Sequence, residues 1–339
     1  MESNELQQVF FQHIKSKIPP NLSLVDEVAE ILGISNDSSY RRIRGEKIIS
    51  FEEISRLASH FKLSVDQVLN LRSSDTTVFS GNFITVEDFD FTKWLQQMHR
   101  DLQFIASFKN KQLIINCKDI FVFHHLAFPE VASFKNFAWM KTLIRYPQFN
   151  HVPFSFEHLQ SPLLDIGLKA ARLYTQIPGI EIMNIENIHT TLNQIEYYKV
   201  TRGFRSPEDL KLIYEKLHDM INHIEAQAEA GLKFMPGEKP NSQSAEYNLY
   251  VHDFTIGDHS SIAIVENTKI SFVLHNIINY MTTRDERYTE YHYNFLQNIM
   301  KKSVLLSKSG EKLRSGFFYL IHEAIDMSRD NKMKTFGNI

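Results

Sequence analysis

The chain has 339 residues, of which 43% are hydrophobic and 26 are phenylalanine. This length allows two or three domains, each with its own core, and the many large rings are compatible with a pocket for an apolar or aromatic ligand. The net charge of -3 excludes binding of nucleic acid through an overall basic surface, but it allows one small basic patch.

The only cysteine is Cys117, which excludes an internal disulfide and a cysteine-based zinc site. The first twenty residues lack the apolar core of a signal peptide. No apolar run approaches the roughly 18 residues that a membrane-spanning helix needs. We therefore expect a soluble, cytoplasmic protein that does not bind a membrane.

Short amphipathic helices fill the first seventy residues. Apolar residues three and four positions apart predict five of them, and serines stand at four N-cap positions: Ser23, Ser35, Ser50 and Ser64. Glu53 stands three residues after Ser50, where a capping box places it. The second and third helices are joined by a tight turn at Gly33, which is the helix-turn-helix arrangement.

A longer pattern surrounds this turn. Residues 24–69 read LVDEVAEILGISNDSSYRRIRGEKIISFEEISRLASHFKLSVDQVL, with VAEILGIS, a basic helix, Gly45 after it and a capped amphipathic helix. On these features the stretch resembles the lambda-repressor/Cro-type family of DNA-binding domains. The resemblance covers roughly the first fifth of the chain and implies a helical recognition domain, no catalysis and action as a dimer. Arg42 departs from the family pattern, since many members have an apolar residue there.

The third helix has two distinct faces. At about 100° per residue, Ser39 and Ile43 lie together and are expected to face the bundle. The opposite side predicts contacts to base edges from five residues: Asn36, Asp37, Tyr40, Arg41 and Arg44. Contacts to DNA phosphates are expected from Ser38, Arg42 and Lys47. The alternative is a solvated helix face whose arginines form incidental ion pairs.

The charge of this region bears on oligomeric state. Residues 1–72 contain nine Lys or Arg and ten Asp or Glu, so nonspecific affinity for DNA is expected to be weak. A single copy would bind poorly at physiological salt. We therefore expect a homodimer that places two recognition helices on half-sites one helical turn apart.

The sequence predicts a mainly α protein. A five-helix helix-turn-helix bundle at 1–71 and a polar linker at 72–82 precede a larger, mostly helical α+β region at 83–339, with a small antiparallel sheet. A division into two subdomains near 231–246 is left open. Within this region, helices are predicted at 86–108, 134–144, 162–177, 184–200, 206–231, 285–306 and 313–329. Strands are predicted at 111–120, 247–254, 261–267 and 269–276, and a tight turn at Asn267-Thr268 joins the last two in a hairpin. The helix that starts at Pro207 carries an apolar stripe, interpreted either as a coiled-coil seam or as one side of a helical hairpin with the preceding helix.

Chemistry-bearing motifs are lacking. The sequence has no phosphate-binding loop, zinc-protease motif or nucleophile elbow, so we predict no enzyme, no catalytic residue, no metal and no cofactor. His124 and His125 are adjacent and cannot easily share a metal, so a core role is favoured. An anion site is predicted in 301–316, with a solvated junction as the alternative; its residues are Lys302, Ser303, Ser307, Lys308 and Lys312.

These observations favour a sequence-specific transcription regulator. Its partners would be double-stranded DNA, a second copy of the chain and a small-molecule or protein signal that acts on 83–339. Two other classes stay open: an enzyme or toxin-system component with an autoregulatory DNA-binding domain, and an adaptor that binds protein through the bundle.

Overall fold

A computed structural model describes residues 3–15, 18, 22–61, 63, 65, 76–81, 89–158, 161–254, 259–275 and 279–332. The chain forms two compact units, Met1–Val78 and Phe79–Ile339. It is mainly helical, with an N-terminal helical region followed by a larger α+β unit. No helix in the described ranges combines the length and the apolar character needed to cross a bilayer.

The first unit contains four described helices: α1 (Ser3–Lys15), α2 (Leu24–Leu32), α3 (Asn36–Ile43) and α4 (Phe51–Phe61). Their apolar faces meet in one core, which includes Phe10, Phe11, Ile14, Val28, Leu32, Ile49 and Leu57. The capping box predicted for α4 is confirmed, because Glu53 N–H donates to Ser50 Oγ at 3.2 Å and Ser50 N–H donates to Glu53 Oε2 at 3.0 Å. The fifth predicted helix lies largely outside the described residues.

The second unit contains eight described helices: α5 (Phe91–Ala106), α6 (Val122–Leu126), α7 (Pro129–Ala138), α8 (Ser161–Tyr174), α9 (Asn187–Val200), α10 (Pro207–Ala230), α11 (Glu286–Met300) and α12 (Glu311–Arg329). A π-helical turn at Trp139–Leu143 and two 3-10 turns at Pro147–Phe149 and Phe156–His158 connect α7 to α8. Both ends of α10 follow from the sequence: Ser206 Oγ accepts a hydrogen bond from Asp209 N–H at 3.0 Å, and Gly231 ends the helix in the left-handed conformation.

A mixed sheet runs through the second unit. Its eight described strands are β1 (Ser80–Gly81), β2 (Lys111–Asn116), β3 (Gly179–Met183), β4 (Tyr247–Val251), β5 (Ser260–Val265), β6 (Thr268–Leu274), β7 (Tyr280–Thr283) and β8 (Val304–Leu305). The spatial order is β1-β7-β6-β5-β2-β3-β4-β8. Strands β2, β3 and β4 pair in parallel, and all other neighbours pair antiparallel.

The sheet is larger than the sequence predicts. The sequence predicts four strands in a small antiparallel sheet, whereas the structure has eight described strands, of which β2, β3 and β4 pair in parallel. Strands β5 and β6 do form the predicted hairpin, but its turn is Glu266–Asn267. Strand β4 pairs in parallel with β3, a strand that the sequence pattern did not predict. The middle residue of β3 is Glu181, which interrupts the apolar run, and only the tertiary structure supplies the side chains that make its burial possible.

Helices cover the two faces of the sheet unequally. One face packs against α11 through Ile114, Ile182, Ile262, Leu296, Ile299 and Met300. The other face contacts two large cores built from the remaining helices. Many phenylalanines fill these cores edge to face: the ring centroids of Phe134 and Phe154 are 5.3 Å apart, as are those of Phe137 and Phe154.

The stripe on α10 lies inside the unit. Tyr214, Leu217, Ile221, Ile224 and Ala228 are at most 1% exposed, and they share a core with Ile188, Leu192 and Ile195 of α9. The helix packs mainly against α12 and α7. The stripe is therefore neither a coiled-coil seam nor a simple hairpin with α9, because it is already covered by other helices of the same chain.

Candidate nucleic-acid interface

The turn between α2 and α3 is set by a glycine and a serine. Gly33 has a φ of 69°, a left-handed conformation that costs glycine little, and its N–H donates to carbonyls at the end of α2. Two residues later Ser35 begins α3, where its Oγ accepts a hydrogen bond from Ser38 N–H at 3.3 Å. The two helices are therefore joined by a three-residue turn.

Ser39 and Ile43 fix the inner face of α3, as the sequence predicts. Ser39 is 0% exposed, and its Oγ donates a hydrogen bond to the Val25 carbonyl of α2 at 2.9 Å. Ile43 is half-buried and packs against the core of the first unit. Because both residues face α2 and the core, the opposite side of α3 is turned away from the bundle.

Arg42 does not occupy the exposed position that was predicted for a phosphate contact. Its side chain is 7% exposed and binds Glu53 of α4 with two hydrogen bonds, from Nη2 to Oε1 at 2.7 Å and from Nε to Oε2 at 3.1 Å. A third bond joins Nη1 to the Ser38 carbonyl at 3.1 Å. This corrects the prediction of a phosphate contact: the guanidinium is used inside the domain, where it joins α3 to α4.

Gln7 is a second positioning residue, which the sequence pattern did not predict. It is 7% exposed, and its Nε2 donates to the carbonyls of Arg42 at 2.7 Å and Lys47 at 2.8 Å. Its Oε1 accepts a hydrogen bond from Ile49 N–H at 3.1 Å. One side chain of α1 thus fixes the end of α3 and the loop after it. The sequence did contain one signal for this role. Gln7 stands three, four and seven positions before Phe10, Phe11 and Ile14, so a polar residue lies on the apolar side of α1.

The outer face of α3 carries the basic residues. The side chains of Arg41 and Arg44 are 54% and 59% exposed, and Tyr40 is 48% exposed. The Arg44 guanidinium lies 5.5 Å from the centroid of the Tyr40 ring, a cation–π arrangement. Glu46 approaches both arginines, at 4.0 Å from Arg41 Nε and 3.6 Å from Arg44 Nε. These exposed pairs are weak, so both guanidinium groups can exchange Glu46 for another acceptor.

The flanking candidates are also at the surface. Asn36 and Asp37 are exposed at the start of α3, and the Asn36 amide donates to Asp26 Oδ1 at 2.8 Å. Ser38 is half-buried, and Lys47 is exposed in the loop after α3. All the predicted base-edge and phosphate candidates except Arg42 therefore lie on or beside one outward face of α3 or in the loop that follows.

One comparison with known proteins concerns this part of the chain. The family model of the BetR domain matches residues 15–98. This is a family of helix-turn-helix DNA-binding domains, and the match includes α2, the turn and α3. No curated protein and no solved structure matched the chain. The structure and this match together place a helix-turn-helix region at the N-terminus, similar to domains of a DNA-binding family.

The anion site predicted in 301–316 does not have the expected arrangement. Ser307 is 1% exposed, and its Oγ accepts a hydrogen bond from Leu249 N–H at 2.8 Å. Ser303 Oγ donates to the Ile299 carbonyl at 2.8 Å, and Lys308 pairs with Glu246 at 3.3 Å. Lys302 and Lys312 are exposed. The hydroxyls of Ser303 and Ser307 and the ammonium group of Lys308 are therefore bound to other groups of the protein. This arrangement fits the alternative, a solvated junction, better than an anion site.

His124 and His125 have the predicted core role, at 3% and 2% exposure. His124 Nε2 lies 2.9 Å from Glu181 Oε1, and the same carboxylate accepts hydrogen bonds from the hydroxyls of Tyr174 and Tyr247. Burial raises the pKa of Glu181, but His124, a nearby lysine and the Tyr174 hydroxyl outweigh burial and bring that pKa to about 2. In the part of the chain that the structure describes, no group of three His, Cys, Asp or Glu side chains is arranged to hold a metal ion.

Proposed function

We propose that the protein is a sequence-specific transcription regulator that inserts α3 into the major groove of double-stranded DNA. One observation carries this proposal. Ser39 and Arg42 hold the helix from the protein side, and Tyr40, Arg41 and Arg44 are exposed on the other side. Held this way, the helix has the orientation in which a recognition helix presents its side chains to base edges.

Each exposed residue has a role in this proposal. Arg41 donates two hydrogen bonds to O6 and N7 of a guanine, and such a pair contributes about 1–3 kcal/mol of discrimination between bases. Arg44 lies over Tyr40, which limits its conformations before binding and so lowers the entropy cost of a contact. Asn36 and Asp37 contact bases at the start of the helix, and Ser38 and Lys47 contact phosphates. Arg42 is removed from this set.

A homodimer is part of the same proposal. The first unit has balanced charge, so one copy gains little affinity from phosphates. Helix α12 of the second unit exposes four large apolar side chains: Leu313, Tyr319, Leu320 and Met327, at 57%, 66%, 49% and 42%. Leu313, Leu320 and Met327 are seven residues apart, and a methyl group added at Gly316, between the first two, would meet nothing within 4 Å.

The surface of α12 suits a second copy of the chain. Leu313, Leu320 and Met327 recur at the heptad spacing with which one helix packs against another, and Gly316 lets a second helix come close. Paired across a two-fold axis, two copies present the same apolar face to each other. We propose that α12 and its symmetry mate form the centre of the dimer, and that the second unit acts by assembly and binding without catalysis.

Selection of DNA from a random pool by the full-length protein, at a stated salt concentration, tests the proposal. We expect an enriched motif with two-fold symmetry and half-sites about one helical turn apart. Arg41→Ala should weaken binding to the selected DNA by about tenfold or more and relax the preference at one base position. Arg145→Ala, at an exposed position of the second unit, is the matched control. Enrichment of no motif, or identical binding by both variants, would refute the proposal.

A further inference from the structure

The second unit contains a groove of about 560 Å³ between α5 and the strands at one edge of the sheet. Helix α5 supplies one wall, and β1, β6 and β7 supply the other. The volume lies in the range of sites for small organic ligands. We propose that this groove binds a small organic acid that has a planar aromatic ring and a carboxylate, and that this ligand regulates DNA binding.

Aromatic rings form much of the lining. Trp94 and Phe104 come from α5, and Phe272 and Tyr280 come from β6 and β7. Phe104 is 44% exposed although it is large and apolar, and the ring centroids of Phe272 and Tyr280 are 6.0 Å apart. Such rings bind a flat apolar group by stacking and edge contacts, and covering Phe104 removes apolar surface from water.

Two arginines supply the charge that selects a carboxylate. Arg100 donates from Nε and Nη2 to the neutral amide oxygen Oε1 of Gln97, at 3.2 Å and 2.7 Å. The Arg284 guanidinium lies 5.9 Å from the centroid of the Phe104 ring. Neither arginine forms an ion pair with any residue in the described ranges, so no carboxylate of those ranges compensates either positive charge by contact. Guanidinium groups beside an aromatic wall match a ligand with a carboxylate attached to a ring.

Asp101 is the one carboxylate among the described lining residues, and it forms no ion pair with either arginine. Its Oδ1 accepts a hydrogen bond from Gln97 Nε2 at 2.9 Å, and its Oδ2 accepts one from the Tyr280 hydroxyl. Asp101 therefore orients Gln97, and Gln97 in turn orients Arg100. Lys93 at the rim pairs with Asp90 at 3.7 Å. Each oxygen of Asp101 thus accepts a hydrogen bond within the wall, and the described lining residues carry three positive side chains and one negative side chain.

The position of β1 links this groove to the rest of the chain. Ser80 and Gly81 line the groove and pair with Thr282 and Met281 of β7. They follow shortly after Val78, where the first unit ends. A ligand that contacts β1 stabilises the pairing of β1 with β7. It therefore shifts the conformational equilibrium of the segment that leads to the DNA-binding unit. This regulatory part rests on the proposed function, whereas the binding site itself does not.

Calorimetric titration of the full-length protein without DNA tests the site. Benzoate and indole-3-acetate are the probes, benzamide tests the need for the carboxylate, and acetate tests the need for the ring. We expect both aromatic acids to bind, with benzamide and acetate at least about tenfold weaker. Arg100→Gln and Arg284→Gln should each weaken benzoate by about tenfold, Phe104→Ala should weaken it as well, and Arg145→Gln should not.

The outcomes are distinct. If neither aromatic acid binds at millimolar concentration, or if both arginine variants bind benzoate like the unaltered protein, the site is refuted. If the acids bind, the Kd for the selected DNA should change by about fivefold or more when they are present. Binding of the acids with no change in that Kd refutes the regulatory part alone. If the protein selects no DNA, the proposed function is refuted. The titration then still shows whether the groove binds aromatic acids.

Discussion

Replacement of Arg42 by methionine separates a structural role from a role in DNA binding. Methionine keeps the apolar stem of the side chain and removes the guanidinium, so Glu53 loses two hydrogen bonds and the Ser38 carbonyl loses one. Removing one partner of a fully buried pair costs about 3–5 kcal/mol, whereas an exposed pair contributes at most about 1 kcal/mol. The side chains here are 7% and 19% exposed, and Glu53 keeps its bond from Ser50 N–H.

From this intermediate burial we expect the free energy of opening of the first unit to fall by about 2 kcal/mol. Both tryptophans, at 94 and 139, belong to the second unit, so their fluorescence does not report this change. Hydrogen exchange of peptides from residues 24–44 measures it directly. Glu53→Gln and the double variant complete a thermodynamic cycle, in which the two single effects should not add, because the two residues are in contact.

The stabilisation of the first unit by the Arg42–Glu53 pair depends on pH. The hydrogen bond from Arg42 lowers the pKa of Glu53 below its ordinary 4.5, although burial acts in the opposite direction. A lowered pKa in the folded state means that the stabilisation is present above pH 4.5 and is lost as the pH falls through the folded value. Arg42→Met should remove most of this acid dependence. Unchanged stability, together with a slope of log Kd against log salt reduced by about one, would instead make Arg42 a phosphate contact.

Three further predictions address other parts of the molecule. Gln7→Ala leaves one N–H and two carbonyls without their partner and should destabilise the first unit by about 2 kcal/mol, measured by the same hydrogen exchange. Leu320→Lys should convert the proposed dimer to a monomer in sedimentation equilibrium. Glu181→Gln removes the buried charge beside His124 and should lower the stability of the second unit by about 3 kcal/mol. It should also abolish the loss of stability expected as the pH falls from 4.5 to about 2.

Two of these predictions have a control variant, and the third has a defined contradicting outcome. Gln8→Ala, whose Nε2 lies 3.4 Å from the Arg44 carbonyl at the surface, should have little effect, and an effect equal to that of Gln7→Ala would contradict the role of Gln7. Tyr291→Lys changes an exposed apolar side chain on α11, at 68% exposure against 49% for Leu320, and loss of the dimer in that variant alone would place the interface elsewhere. For Glu181, thermal unfolding with an unchanged acid slope would show that another carboxyl group is responsible.

Local patterns in the sequence were sufficient for the helix-turn-helix region. Serine caps, Gly33 and apolar residues three and four positions apart fix α2, α3 and α4, because these features act within one or two turns of a helix. The same spacing placed Ser39 and Ile43 toward the bundle, as the structure confirms. Helical periodicity alone therefore settled which side of α3 is buried at these two positions.

Tertiary structure decided the features that depend on partners distant in sequence. Arg42 looks like a surface residue until Glu53, eleven positions away, is brought within 2.7 Å of it. Gln7 reaches three backbone groups that are 35 to 42 positions away. A polar side chain on an apolar stripe is unfavourable in the core unless it is hydrogen-bonded, and local sequence does not show whether partners exist.

The same reason governs the second unit. The sequence determined most of its helices and the β5–β6 hairpin, since these depend on neighbouring residues. It did not determine strand β3, because Glu181 at its centre is tolerated only where His124, Tyr174 and Tyr247 converge on the carboxylate. The groove between α5 and the sheet edge likewise joins residues from 80 to 284, and only folding brings its arginines and rings together.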